Sequence, residues 1–141
     1  YDSLPGAKPG ADNLHFHGYL DRKALREVLS RADAAIGTMA MHRSQKGEGS
    51  PLKTLEYLAY GLPVILPYQD TNLKGLKAEF ILRIPDSEEN IETCSDQIYE
   101  FVQRMRGKRV DREVLALYID IRSKEKERLA FMEKVVWDKK G

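Results

Sequence analysis

The chain has one cysteine, Cys94, and three histidines in 141 residues, so it can form no internal disulfide and offers no cysteine and histidine cluster for zinc. A lone thiol is the usual state of a protein in a reducing compartment, which points to a cytoplasmic location. Long apolar runs are missing as well. None approaches the roughly 20 residues needed to cross a bilayer, and the start shows no basic-then-apolar export pattern. An excess of one charge is also lacking: 23 Lys plus Arg stand against 22 Asp plus Glu, so no strong positive field awaits a phosphate backbone and nucleic acid is not an expected partner. No internal repeat and no low-complexity tract interrupts the chain. What is present is a hydrophobic content of 42%, enough for one sizeable core, and this predicts a single compact domain over residues 1–141.

Residues 1–13 are rich in Gly, Pro, Asp and Asn and read as a loop. Leu14 to Gly18 alternates apolar and polar residues as a short strand does, and Asp21 then offers an N-cap to a helix whose stripe is Leu25, Val28, Leu29 and Ala32. Ala34 to Thr38 reads as a short buried strand, and Met39 to Gly49 as a loop. Ser50-Pro51 joins an N-cap residue to a proline at the first helical position, and Gly61 with Pro63 stops that helix after Tyr60. Val64-Ile65-Leu66 is a buried strand, Asp70-Thr71-Asn72 a polar loop, and Phe80-Ile81-Leu82 a further strand. Ile91, Cys94, Ile98, Phe101, Val102 and Met105 recur at helical spacing between Glu88 and Arg106, and a second helical stretch runs from about Asp111 to Trp137. The fold class is therefore α/β, a Rossmann-like parallel sheet flanked by helices, with a charged helical segment over 107–141 and ligands expected at the carboxyl ends of the strands.

The chemistry is concentrated between Gly47 and Ile65. There a glycine-containing loop delivers the chain to a helix start, where unpaired amides and the positive end of the helix dipole favour an anion such as a diphosphate. Ser50, Leu52 and Lys53 supply amides and Pro51 has none to give. A cation in the first turn is disfavoured by roughly 0.3–1 kcal/mol, so either a bound phosphate relieves Lys53 or Lys53 pairs with Glu56 one turn on. Glu56, six residues beyond Ser50, lies roughly 9 Å along the axis with its side chain leaning back toward the helix start, within reach of a group attached to that phosphate. A carboxylate accepts hydrogen bonds on both oxygens and so suits the paired hydroxyls of a ribose. Glu48 stands at the other end of such a diphosphate. On spacing alone, two solvated surface charges are the commoner explanation of these glutamates.

The arrangement Glu48, seven residues, Glu56, then Ala59-x-Gly61-x-Pro63-Val64-Ile65 resembles the paired-glutamate signature of glycosyltransferase family 4 and its relatives, the retaining group 1 enzymes with two facing Rossmann-like domains (the GT-B architecture). Ser50-Pro51-Leu52-Lys53 with Glu56-Tyr57-Leu58-Ala59 is similar to the branch that builds bacterial surface polysaccharides. Asn13 to Gly18 resembles the strand before the nucleotide site, and Leu29 to Ile36 the helix-to-strand passage after it. The resemblance covers residues 12–85 well and the last third by helix content. It implies a glycosyltransferase of hexosyltransferase type, with the nucleotide-sugar-binding domain in this chain and an acceptor-binding domain upstream of it. It implies that Glu56 binds the donor ribose, that Glu48 is the catalytic glutamate on the donor-sugar hydroxyls, and that the amides of Gly49, Ser50, Leu52 and Lys53 hold the diphosphate. Gly18, Tyr19 and Thr38 would flank the base. No cofactor and no metal is expected; His15, His17 and His42 have structural or solvated roles, with His42 alone in its loop.

The partners so implied are a nucleotide sugar and an acceptor glycan or lipid-linked glycan. From Arg104 onward twelve basic residues face seven acidic ones, which would give a weak peripheral attraction to anionic lipid at the inner membrane surface. A nucleotide-sugar epimerase of similar fold and a non-catalytic binding module remain as alternatives. The family's basic pair that neutralises the diphosphate has no counterpart here, the chain starting downstream of it. The expectation is that this chain alone transfers no sugar and tends to self-associate.

Overall fold

The computed structural model describes residues 13–44 and 48–138; the turn-rich opening at 1–12 and Gly47 of the glycine loop lie outside the described residues. The chain divides into two compact units, residues 1–31 and 32–141.

In the first unit, Asp21 Oδ1 accepts a hydrogen bond from the amide of Ala24 at 2.8 Å and so starts helix α1 (Arg22–Arg31) as the sequence predicts. Leu29 is buried and Leu25 and Val28 are half-buried, the expected stripe. The strand expected over 14–18 does not form. Alternation fits a strand only where a partner supplies the ladder, and among the described residues Leu14 to His17 pair with none and stay exposed. Gly18 turns the chain in the left-handed region, at φ 64.

The second unit is built on a three-stranded parallel sheet of order β1 (Ala35–Ile36), β3 (Val64–Leu66), β5 (Ile81–Arg83). Its register sets Ala35 against Val64 and Val64 against Ile81. The central β3 is an unbroken apolar run buried at every position, as a strand covered on both faces must be. On one face Ile65 joins Ile84, Cys94, Phe101 and Met105 in a core cluster formed with helix α4 (Ser95–Met105). Alternation turns Val64 and Leu66 to the other face, where helix α2 (Leu52–Ala59) lies against β3 and against α5 (Arg112–Ile119). A second, two-stranded parallel ladder pairs β2 (Glu48–Gly49) with β4 (Gln69–Asp70). The sequence reads both segments as loop, because a two-residue strand has no periodicity to detect.

Two predicted helices are each divided in two. The span 88–106 divides at Cys94 into α3 (Asn90–Thr93) and α4, where the Thr93 hydroxyl donates to the Glu89 carbonyl at 2.9 Å. The apolar stripe continues across the break, so periodicity alone does not reveal it. The span 111–137 divides at Asp120 into α5 and α6 (Ile121–Asp138), with Asp120 Oδ1 accepting from the Arg122 amide at 3.2 Å. Asp111 caps α5 in the same way, at 2.9 Å from the Glu113 amide.

Helix α2 ends as predicted. The amide of Gly61 donates to the Leu58 carbonyl at 2.8 Å and that of Leu62 to the Tyr57 carbonyl at 3.0 Å, a Schellman closure with Gly61 at φ 74. A Cβ at Gly61 would stand 3.3 Å from the Val110 carbonyl oxygen. Gly61→Ala should therefore cost about 1–2 kcal/mol of stability from the left-handed backbone alone, read as a lowered urea midpoint at unchanged slope. An unchanged midpoint would contradict this closure.

Candidate functional site

The parallel sheet points the ends of β1, β3 and β5 toward the start of α2, and the link between them is the side chain of Tyr68, two residues past β3. Its hydroxyl bonds the Thr54 hydroxyl at 2.6 Å, both residues buried, and the Thr38 backbone bonds it as well. Burial pushes the Tyr68 phenol above its usual range, and the Thr54 bond offsets part of this. Gly37 leaves the room: a Cβ there would meet Leu66 Cδ2 at 2.7 Å and the Tyr68 hydroxyl at 3.2 Å. Beside Tyr68 a cavity of about 470 Å³ opens at the carboxyl ends of β3 and β5, bordered by Gln69, Lys77, Arg83 and Asp86.

Residues 38–44 and 48–50 lie along this edge, and later parts of the chain hold them at several points. Asn90, buried, donates from Nδ2 to the Met39 carbonyl at 3.0 Å. His42, in the 3-10 turn His42–Ser44, meets Asp86 Oδ1 with Nδ1 at 3.0 Å and Glu88 Oε2 with Nε2 at 2.6 Å. Arg43 grips the same Glu88 with two nitrogens, Nε at 3.0 Å and Nη2. The Glu88 carboxyl is held down to about 2, by Arg43 first and His42 second, while the His42 imidazole is raised from 6.5 by Glu88 and then Asp86. The reading of His42 as alone in its loop is thereby corrected. Its partners lie 44 and 46 residues away, beyond what a loop's own sequence reveals.

Ser50 departs from its expected capping role. The N-cap of α2 is Pro51, with no side-chain cap bond, and the Ser50 hydroxyl instead accepts from Asn72 Nδ2. Proline at φ −64 is preset for the helix boundary but brings no side-chain acceptor, so the helix starts one residue later than predicted. The first intrahelical bond runs from the Thr54 amide to the Pro51 carbonyl at 3.1 Å, which leaves the amides of Leu52 and Lys53 ahead of it as first-turn donors.

Gly49, Ser50, Leu52, Lys53 and Glu56 thus lie on one continuous stretch of β2, loop and α2. Leu52 is 81% exposed, an apolar side chain that adds nothing to the core. Lys53 and Glu56 are exposed, and among the described residues no salt bridge joins them. Glu48 is exposed at the edge of its ladder, with Lys74 Nζ 3.9 Å from its carboxylate. Gly49 packs so closely that a Cβ there would meet Met41 Cε at 2.7 Å. Thr38, half-buried, sits at the carboxyl end of β1. Gly18 and the fully exposed Tyr19 belong to the first unit. Sequence reasoning missed Tyr68, Asn72, Asp86 and Glu88. Tyr68 alone carried a usable signal, its place just past a predicted buried strand.

Among the described residues, no group of three or more His, Cys, Asp or Glu side chains is arranged to hold a metal ion, and no helix is long and apolar enough to cross a membrane. The chain matches the family model described as glycosyl transferases group 1 over residues 6–103, more than two thirds of its length. No curated protein and no solved structure matches it.

Tyr68→Phe leaves the buried Thr54 hydroxyl without its partner and should cost about 1–3 kcal/mol in urea unfolding. Thr54→Val added to it should cost less than the sum of the two single changes, because the orphaned group is then removed as well. Strict additivity would argue against the bond.

Proposed function

Because the chain belongs to the group 1 glycosyl transferases, we propose that its second unit binds the diphosphate of a nucleotide-sugar donor at the start of α2 and presents the sugar for transfer, with retention, to an acceptor glycan or lipid-linked glycan. One observation carries this reading: the first-turn amides of Leu52 and Lys53 precede the first intrahelical bond beside the exposed Lys53 side chain, at the carboxyl edge of a parallel sheet. Helix starts of this kind favour anions through their unpaired N–H groups and the positive end of the dipole. Lys53 is disfavoured there by the dipole, and a diphosphate resolves that conflict without a metal ion or cofactor.

In this reading Glu56, one turn further on, accepts hydrogen bonds from the ribose hydroxyls. Its charge adds to the effect of burial in raising the phenol of half-buried Tyr57, so the carboxylate side of α2 is the negative one. Glu48, held by its ladder at the far side of the loop, meets the sugar hydroxyls, with Gly49 and Ser50 between the two and Thr38 bordering the base. The bond from the anomeric carbon to the diphosphate breaks, the acceptor oxygen takes its place on the same face, and the hydroxyl proton leaves with the departing diphosphate. By the resemblance to two-domain enzymes, the acceptor hydroxyl is supplied from a second, facing domain, and near-attack placement of the two reactants then contributes roughly 7–11 kcal/mol to such a step. Surface polysaccharide assembly in the cytoplasm is the setting we infer, and the free, buried Cys94 supports a reducing compartment.

Glu56→Gln should weaken nucleoside diphosphate binding by about 1.5–3 kcal/mol in calorimetry, the scale of hydrogen bonds to a charged group. In the two-domain enzyme that also carries the facing acceptor domain, Glu48→Gln should leave the bare nucleotide's affinity nearly unchanged and lower turnover of the nucleotide sugar, because its partner is the sugar. Glu56→Gln binding as tightly as the unsubstituted chain would remove the ribose assignment. Equal losses for nucleotide and nucleotide sugar in Glu48→Gln would make that residue structural.

A further inference from the structure

The His42 cluster lies outside the proposed donor contacts, yet it grips the segment that leads to them. Both ring nitrogens of His42 meet carboxylates, Asp86 at 3.0 Å and Glu88 at 2.6 Å. A carboxylate only accepts, so satisfying both contacts requires two N–H donors and hence the imidazolium. A neutral ring can make one of these bonds and must oppose the other acceptor with a lone pair. The cation therefore joins two acidic residues that follow β5 to the turn that follows β1. Among the described residues, the charged groups facing it are Asp86 and Glu88 from beyond β5 and Arg43 from its own turn, Arg43 sharing Glu88. The His42 side chain is 24% exposed, so solvent reaches the ring and its protonation can follow pH.

This anchoring point is six residues from Glu48. The same segment is fixed again by β2 on β4, by Ser50 and Asn72, and by Lys74 near Glu48. The 3-10 turn closes on itself through the Ser44 amide and hydroxyl, both donating to the Met41 carbonyl. Met41 in turn packs on Gly49. A shift of the turn is thus carried to Gly49 through the methionine side chain.

We propose that His42 is a positioning residue: as a cation bridging Asp86 and Glu88 it holds the turn at residues 38–44 at the carboxyl end of β5, and so, through Met41 on Gly49, tightens the diphosphate site at the start of α2 when it is protonated and loosens it when it is not. The inference rests on the donor reading given above for its functional half; the holding of the segment stands on the cluster alone. The sign follows from linkage. A histidine raised above 6.5 in the fold gives its full stabilisation below that pH and loses it as pH rises through the raised value. Glu88, held down to about 2, gives a stabilisation present above its ordinary 4.5 and lost as pH falls through about 2. The cluster is intact between these limits, and its upper edge lies above 6.5, at the raised His42 value.

Hydrogen exchange read residue by residue on the whole chain tests the holding, with the amides of Val64 to Leu66 as the control for an intact fold. Between about pH 6 and a pH on the alkaline side of the raised His42 value, protection of the Ser44 and Gly49 amides, corrected for intrinsic rates, should fall about tenfold while β3 stays protected. In His42→Gln protection at these two amides should be low at both pH values, and in Glu88→Gln the pH dependence should be reduced. Calorimetry with UDP and with GDP tests the consequence: the ratio of His42→Gln to unsubstituted dissociation constants should be about tenfold at the lower pH and approach one at the higher. The nucleotide's own ionisation cancels in that ratio. Protection independent of pH in the unsubstituted chain, or equal in His42→Gln, overturns the proposal. Loss of protection with an unchanged affinity ratio overturns the positioning role. If neither nucleotide binds the unsubstituted chain, the donor reading falls, and the exchange data still decide whether His42 holds the segment.

Discussion

The second unit is organised around a single buried hydroxyl. Tyr68 reaches from the end of the central strand to Thr54 on α2 and to the Thr38 backbone past β1, so three elements far apart in sequence converge on one oxygen. Burying a phenol and a threonine hydroxyl together is favourable only because they satisfy each other. That requirement fixes how far α2 stands from the sheet edge and in what rotation. Gly37 is part of the same constraint, since any side chain there would overlap Leu66 and press on the Tyr68 ring. The Schellman closure at Gly61 then returns the chain from α2 into β3, which brings Tyr68 back beneath the helix it anchors.

From this fixed edge, the proposed donor site acquires its geometry. Its amides belong to a helix whose position Tyr68 sets, and the residues leading to its glutamates are held from elsewhere by Asn90, Asp86, Glu88 and Asn72. None of these holding contacts is a neighbour in sequence. The consequence is a surface that carries exposed Glu48, Lys53 and Glu56 on a backbone that is itself well anchored, which is the arrangement a charged, hydrogen-bonding ligand requires. Beyond the site, α6 presents Phe131, Met132, Val136 and Trp137 as exposed apolar side chains, in contrast to the closely packed cluster under α4.

Much of this architecture is legible along the chain, because the relevant forces are short in range. Three consecutive apolar residues at 64–66 identify a strand covered on both faces, and a glycine before Pro63 identifies the end of α2. The stretch from Gly49 to Glu56 identifies a helix start within one residue of its true beginning. The errors share one cause. Leu14 to Gly18 alternates like a strand, Cys94 and Asp120 sit inside helical periodicities, and β2 is too short to show any. In each case the outcome was decided by a single hydrogen bond or by the presence of a partner, which periodicity does not record.

What the sequence determines by itself is the α/β character, the apolar faces and the residue types gathered at the start of α2, since propensity, capping and alternation act between residues a few positions apart. Only the tertiary structure decides that Thr54 meets Tyr68, that Ser50 turns to Asn72 instead of capping its helix, and that His42 joins Asp86 to Glu88 across more than 40 residues. Those pairings depend on which strand ends lie side by side. Strand order is set by the burial of whole faces and not by any local signal, so an isolated histidine in a loop and a tyrosine past a strand acquire their partners only when the sheet has formed.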